Sequence, residues 1–176
     1  LSDFNDPTSE APIDTLVAQG RSPIRRAGVR SRSAVLPESD VQLVEGVLVT
    51  TPTRTAADLA RLAREGWGLA AVDSFRRGGT TTRDEIADVV ARYPGERGVA
   101  RARDNVEWGD PGAESVMESW SRWRLLTAGL PRPRTQVLVM TSVGQAWIDM
   151  WDEDRQAGAE DDGAAYHDPR VGGRDH

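Results

Sequence analysis

The sequence predicts an α+β fold, in which a small, mostly helical domain with a β-hairpin precedes one long helix and a mixed β-sheet. Two β-rich runs and a series of segments with apolar residues at helical spacing occupy the middle of the chain. After the Asp110-Pro111-Gly112 break, apolar and polar residues alternate in strand fashion. We therefore divide the chain into an N-terminal segment, a helical domain and a C-terminal domain, at residues 1–38, 39–109 and 110–176.

The N-terminal segment is marked by its arginines. Residues 1–20 show little periodicity and are expected to be irregular, whereas residues 21–32 hold five arginines and no acidic residue. Pro23 and Gly28 favour an extended arm over a helix. The arm is either a solvated loop or a phosphate-contacting element, because guanidinium groups bind phosphate in bidentate fashion. In the second interpretation Arg25, Arg26 and Arg30 are the nucleic-acid contacts.

The helical domain begins with a predicted hairpin. Val41–Val44 and Val47–Val49 are β-rich and flank Glu45-Gly46, a typical two-residue turn. Thr51-Pro52-Thr53 then has the composition of a helix N-terminus. Three more helices are expected, over residues 67–77, from the Thr82 capping box to Pro94, and over residues 97–108.

The C-terminal domain places one carboxylate in an apolar strand. A helix over residues 113–128 is followed by predicted strands at 134–140, 146–151 and 156–160. Asp149 lies within the second strand, between Trp147 and Trp151. An ionised carboxylate in such surroundings is costly unless it is paired or binds a cation. Asp149 is therefore the first candidate site residue.

Two further carboxylates close the next strand. Antiparallel pairing would bring Asp149 and Glu160 to neighbouring positions, and alternation puts Glu160 and Asp162 on one face with Asp161 on the other. Clustered carboxylate oxygens suit Mg²⁺, or Mn²⁺, which binds through carboxylates, water and substrate phosphate. From spacing alone, a solvated acidic turn is the competing interpretation.

An ordered series of motifs runs from the long helix to the end of the sheet. The motifs are Glu114-Ser115-Val116-Met117-Glu118-Ser119, Gly129-Leu130-Pro131-Arg132-Pro133, Gln136 to Val139, Ile148-Asp149, and Glu160-Asp161-Asp162-Gly163 with His167. As a set they resemble the endonuclease domain of very-short-patch-repair-like proteins, which belong to the PD-(D/E)xK superfamily. The resemblance implies a restriction-endonuclease-like fold and metal-dependent hydrolysis of DNA phosphodiester bonds, in defence or repair.

The same resemblance assigns roles to individual residues. Asp149 and Glu160 would be the metal ligands, and Glu118 the helix carboxylate that faces the site. Asp162 and His167 would be accessory catalytic residues. Asp161 stands where the family usually has Tyr or another apolar residue. The family also continues past the position of His176 with a basic helix and another core strand, so the resemblance predicts a C-terminally incomplete domain.

The helical domain resembles a different family. Val49-Thr50-Thr51-Pro52-Thr53-Arg54-Thr55, with Asp58-Leu59-Ala60, is similar to segments of abortive-infection antitoxin-like regulators, in which a winged-helix DNA-binding head commonly comes first. This similarity supports a second hypothesis, a non-catalytic DNA-binding or antitoxin-like regulator that carries a degenerate nuclease domain. A third hypothesis is a degenerate fragment without activity.

Composition limits the chemistry and the partners. All 22 basic residues are arginine, which excludes a lysine amine as nucleophile or base. No apolar run approaches the ~20 residues of a membrane-spanning helix, so no membrane partner is expected. The absence of cysteine fits a cytoplasmic protein. The expected partner is DNA, with a protein partner or a second copy as further possibilities.

Overall fold

The computed structural model describes residues 12–142 and 144–161, and these residues confirm the α+β class. Within the described ranges the chain forms five α-helices and three small sheets. None of the helices found there has the length and apolar character needed to cross a membrane. Asp162 and His167 lie outside the described residues.

The N-terminal segment is more regular than the sequence predicts. Strand β1 (Ile13–Ala18) pairs in parallel with strand β2 (Val29–Ala34), from Ile13 opposite Val29 to Ala18 opposite Ala34. Irregular chain was expected over the first strand and an unpaired arm over the start of the second, so both expectations are corrected. The contacts that hold these strands together are distant in sequence, which is why local periodicity did not reveal them.

The predicted hairpin and helices are confirmed. Strands β3 (Val41–Val44) and β4 (Val47–Thr50) pair in antiparallel fashion around a two-residue turn. Glu45 and Gly46 in that turn both have positive φ, of 50° and 81°, as a twisted hairpin turn requires. The four helices that follow are α1 (Pro52–Leu62), α2 (Trp67–Arg77), α3 (Arg83–Ala91) and α4 (Val99–Trp108).

Helices α1 to α4 enclose the main apolar core. Its buried side chains come from all four helices and the α3–α4 connection: Ala56, Ala57, Ala60, Val72, Ile86, Val89, Val90, Tyr93, Val99, Ala102 and Val106. Small residues let α1 and α2 approach closely. A Cβ on Gly68 would lie 3.1 Å from the Ala60 carbonyl oxygen and would clash with Asn105, which itself donates to that oxygen at 2.9 Å.

A buried arginine joins this core to the preceding hairpin. The fully buried Arg54 donates through Nη1 to Asp40 Oδ2 at 2.7 Å and through Nε to Asp58 Oδ2 at 3.0 Å. Arg92 donates to the other oxygen of Asp40 at 2.8 Å. Burial opposes the charge of Arg54, but the two carboxylates outweigh it and raise the pKa of Arg54 above its ordinary value. The Tyr93 ring lies 5.2 Å from the same guanidinium group.

The C-terminal helix is attached to the helical domain as well as to the sheet. Helix α5 (Val116–Thr127) packs against α2, where buried Arg122 donates to Asp73 at 2.7 Å and to the Trp108 carbonyl oxygen at 2.6 Å. The backbone N–H of Asp110 donates to the second Asp73 oxygen at 2.6 Å. Burial raises the pKa of Asp73 although the charge of Arg122 lowers it.

The three predicted C-terminal strands are present. Strands β5 (Arg134–Thr141), β6 (Gly144–Asp152) and β7 (Ala157–Ala159) form an antiparallel sheet in the order β5-β6-β7. The antiparallel pairing expected between the last two strands is confirmed, whereas the mixed sheet expected for the whole domain is not seen among these three strands, whose pairings are all antiparallel. The short loops between successive strands favour antiparallel pairing, because parallel neighbours need a long crossover.

The start of α4 provides a test of local packing. Gly98 has φ of +83°, and a Cβ there would clash with the carbonyl oxygen of Arg61, whereas Gly95, with φ of +76°, has open space around it. Both Gly→Ala changes incur left-handed strain of roughly 1–2 kcal/mol, and Gly98→Ala adds a steric cost of about 1–3 kcal/mol. Urea unfolding should therefore show a larger loss of stability for Gly98→Ala; equal losses would contradict the packing at this position.

The joint between α2 and α5 gives a second prediction. Arg122→Met leaves the Asp73 carboxylate buried without its cation, and we expect the free energy of unfolding to fall by about 3–5 kcal/mol. Arg124→Met on the exposed side of the same helix is the matched control and should cost less than about 1 kcal/mol. Chemical denaturation measures both values. Similar small losses in the two variants would show that the Asp73–Arg122 pair contributes little.

Candidate functional site

A cluster of polar side chains lies where the start of α5 meets the sheet. Ser115 caps the helix, accepting a hydrogen bond from the Glu118 backbone N–H at 3.0 Å. The Glu118 carboxylate turns back and accepts from the Glu114 backbone N–H at 2.9 Å. Only 6% of Glu118 is exposed. The cap thus fixes one buried carboxylate next to strand β5.

Gln136 links this carboxylate to the sheet. Its Nε2 donates to Glu118 Oε2 at 3.3 Å and to Asp149 Oδ1 at 3.2 Å. Gln136 adopts φ of +50° inside a strand, where a residue with a side chain is strained by roughly 1–2 kcal/mol. The side-chain amide of this strained residue lies between the carboxylates of Glu118 and Asp149. The amide donates to both, so it relieves the repulsion between them.

Asp161 completes the cluster from the other side. Its backbone N–H donates to Asp149 Oδ2 at 3.0 Å, and its Oδ1 accepts from Ser121 Oγ at 2.9 Å. Its Oδ2 is buried and has no hydrogen-bond partner among the residues that the structure describes. The sequence placed Asp161 away from the Glu160 face, on the assumption that the strand continues. Strand β7 ends at Ala159, so alternation no longer applies beyond it.

The predicted metal ligands do not converge in this arrangement. Glu160 is exposed, and both oxygens of Asp149 accept hydrogen bonds from protein donors. Within residues 12–142 and 144–161, no group of three or more His, Cys, Asp or Glu side chains is placed to hold a metal ion. The Gln136 NH₂ group, rather than a ligand oxygen, faces Glu118 and Asp149. The residues present therefore do not fit Mg²⁺ or Mn²⁺ without rearrangement.

The predicted nucleic-acid contacts lie at the β1–β2 sheet. Arg30 on β2 forms a bidentate, exposed ion pair with Asp14 on β1, at 2.7 and 2.6 Å, which lowers the pKa of Asp14. Arg25 and Arg26 lie in the connection between the strands and are exposed. No ion pair joins either of these two to another residue in the described part of the chain. Arg30 is thus already paired, while Arg25 and Arg26 face solvent.

Three residues of the cluster, Gln136, Ser121 and Asp161, were not predicted as site residues. Counting the register outward from the β5–β6 turn would have placed Gln136 opposite Asp149, since Thr135 pairs with Met150 and Val137 with Ile148. Ser121 carries no comparable signal, because its partner Asp161 reaches it from outside any regular strand.

The chain is similar to two curated proteins and matches one family model. Two uncharacterized proteins of Mycobacterium tuberculosis, from strains CDC 1551 / Oshkosh and ATCC 25618 / H37Rv, are each 35% identical to the chain over 128 residues. The alignments cover 72% of this chain and 47% of each relative, so the chain spans about half the length of the curated relatives it matches. No solved structure matches the chain significantly.

A family match covers the β1–β2 sheet, the β3–β4 hairpin and the helices that follow them. The AbiEi antitoxin C-terminal domain matches residues 7–107, more than half of the chain. The matched range includes the β1–β2 pair, the hairpin and helices α1 to α3, with nearly all of α4. It ends before Asp110, so the Glu118–Gln136–Asp149 cluster lies outside it. The chain belongs to the AbiEi antitoxin C-terminal domain family.

Proposed function

We propose that this chain is an antitoxin-like regulator that acts by binding, with its functional surfaces in residues 12–108 rather than in the carboxylate cluster. The observation that carries the proposal is the family match over residues 7–107. In that range the chain forms a well-packed unit centred on Arg54, which can present binding surfaces without catalytic machinery. The partners of the regulator are DNA and a protein, which bind to different surfaces.

The proposed DNA contact is the connection between β1 and β2. Arg25 and Arg26 are exposed there, in a stretch of five arginines without a neighbouring acid in sequence. Exposed guanidinium groups bind backbone phosphates and release condensed counterions, which makes the affinity depend on salt. Arg30 would support this contact less directly, because Asp14 neutralises much of its charge.

The proposed protein contact is the β3–β4 hairpin. It exposes aliphatic side chains to solvent along most of its length: Leu43, Val44, Val47, Leu48 and Val49. Leu43 and Leu48 are 69% and 71% exposed and lie directly opposite each other in the hairpin. Contiguous exposed apolar surface of this kind typically marks a protein interaction site. An antitoxin-like protein needs such a surface to hold its partner.

A second proposal, the nuclease function implied by the motif resemblance, is supported by one observation. Gln136 occupies a strained backbone conformation at the meeting point of Glu118 and Asp149, and such strain concentrates at functional sites. Binding of Mg²⁺ or Mn²⁺ would require the Gln136 amide to leave this position and Glu160 to turn inward. Asp149 and Glu160 would be the ligands, with Glu118 beside them.

DNA binding by the arginine connection can be measured by fluorescence anisotropy with a labelled duplex across a range of salt concentrations. The Arg25→Ala/Arg26→Ala variant should bind more weakly, with a log–log salt slope smaller by about two, because two phosphate contacts are lost. Arg103→Ala, an exposed arginine on α4, is the matched control and should behave like the unaltered protein. An unchanged slope in the double variant would place the DNA contact elsewhere.

The two proposals predict different outcomes in a cleavage assay. For a regulator we expect no cleavage of DNA when Mg²⁺ or Mn²⁺ is added. Metal-dependent cleavage that is lost in Asp149→Ala and in Glu160→Ala, but kept in the exposed control Glu153→Ala, would establish the nuclease and overturn the binding-only proposal. Cleavage that survives unchanged in both site variants would exclude these carboxylates as the source of activity.

A further inference from the structure

A cavity of about 460 Å³ lies between the β1–β2 sheet, the end of α1 and the start of α4. It is outside the carboxylate cluster and separate from the Arg25–Arg26 connection. Six of its lining residues are arginines: Arg30, Arg32, Arg61, Arg64, Arg97 and Arg101. Its volume is in the range of small-molecule sites, about 300–1,000 Å³, and far exceeds the space of one water molecule.

The charges around this arginine cavity do not balance. Three carboxylates pair with its arginines: Asp14 with Arg30, Asp58 with Arg32 and Arg61, and Glu96 with Arg61. Six guanidinium groups against three carboxylates, one of which is also shared with Arg54, leave an excess of at least three positive charges. Arg64 and Arg97 are exposed and have no carboxylate within ion-pairing distance in the described part of the chain.

The cavity wall also contains buried hydrogen-bond donors that lack acceptors among the described residues. The Nε of Arg61 and the Nε of Arg101 are buried and have no hydrogen-bond partner among the described residues. Burial lowers the pKa of Arg32, and the neighbouring charges of Arg61 and Arg54 lower it further, although Asp58 and Asp14 oppose this. Burial and mutual repulsion make this group of guanidinium cations unfavourable by itself. An anion in the space that they surround would therefore be bound favourably.

One wall of the cavity is aromatic. Trp67 begins α2, lines the cavity and is 47% exposed. An indole face beside guanidinium groups is the combination on which a nucleobase stacks while its phosphates are bound. A single inorganic phosphate would fill only a small part of the volume and would make no use of the indole.

We propose that the arginine cavity binds a nucleotide, with the phosphates on Arg64, Arg97 and Arg101 and the base against Trp67. A free nucleoside triphosphate and a nucleotide unit of a nucleic-acid strand offer the same chemistry. The site does not depend on the proposed DNA contact at Arg25 and Arg26, because these residues do not line the cavity.

Isothermal titration calorimetry tests the site with ATP, inorganic triphosphate, adenosine and a short single-stranded oligonucleotide. ATP should bind more tightly than triphosphate, and adenosine should not bind measurably. Arg64→Ala/Arg97→Ala should weaken ATP binding by about tenfold or more, which corresponds to at least about 1.4 kcal/mol. Both arginines are exposed, so folding should persist, and circular dichroism checks this. Arg103→Ala is the matched control and should retain full affinity.

Trp67→Leu separates a nucleotide site from a simple anion site. It should weaken ATP binding and leave triphosphate binding unchanged. Competition by ATP for oligonucleotide binding would assign the site to a nucleotide unit of a strand, whereas binding of ATP alone would assign it to a free nucleotide; either supports the proposal. Absence of binding by both ligands, equal binding by the Arg64→Ala/Arg97→Ala variant, or equally tight binding of polyglutamate would overturn it. The Arg25→Ala/Arg26→Ala variant should bind ATP normally even if its DNA contact is lost.

Discussion

The guanidinium group of Arg54 connects parts of the chain that have few other contacts. Through Asp40 it holds the turn before the β3–β4 hairpin, through Asp58 it is fixed to its own helix, and its contact with the Val35 carbonyl oxygen reaches back toward β2. A two-stranded hairpin is only marginally stable alone. The exposed aliphatic hairpin therefore keeps its position because a buried ion network, rather than an apolar interface, attaches it to the helices.

Features that depend on neighbouring residues in the sequence could be predicted, whereas features that depend on residues distant in the sequence could not. The hairpin turn at Glu45-Gly46, the Thr51 and Thr82 caps and the order of the helices follow from local signals, and all are present. The β1–β2 pair depends on contacts between residues that are 16 positions apart in the sequence, and it was missed. Within the cluster, Glu118 and Asp149 meet, but the roles of Gln136 and Asp161 depend on register and on where β7 ends, which composition does not reveal.

Helix α5 belongs to two environments at once. One turn of it carries Glu118, which faces the sheet, and the next carries Arg122, which is buried against Asp73 on α2. In the sequence, Asp110 marks the break between the helical domain and the C-terminal domain. The backbone N–H of Asp110 nevertheless donates a hydrogen bond to Asp73 in the helical domain. Helix α5 is therefore the element that joins the helical domain to the carboxylate cluster of the sheet.

The position of Gln136 between Glu118 and Asp149 affects what these acidic residues indicate in related sequences. Its amide donates to two acidic side chains and so links α5 to the sheet through hydrogen bonds. These hydrogen bonds give Glu118 and Asp149 a structural role that needs neither a metal ion nor catalysis. The same acidic residues in a related sequence would therefore be a poor guide to nuclease activity.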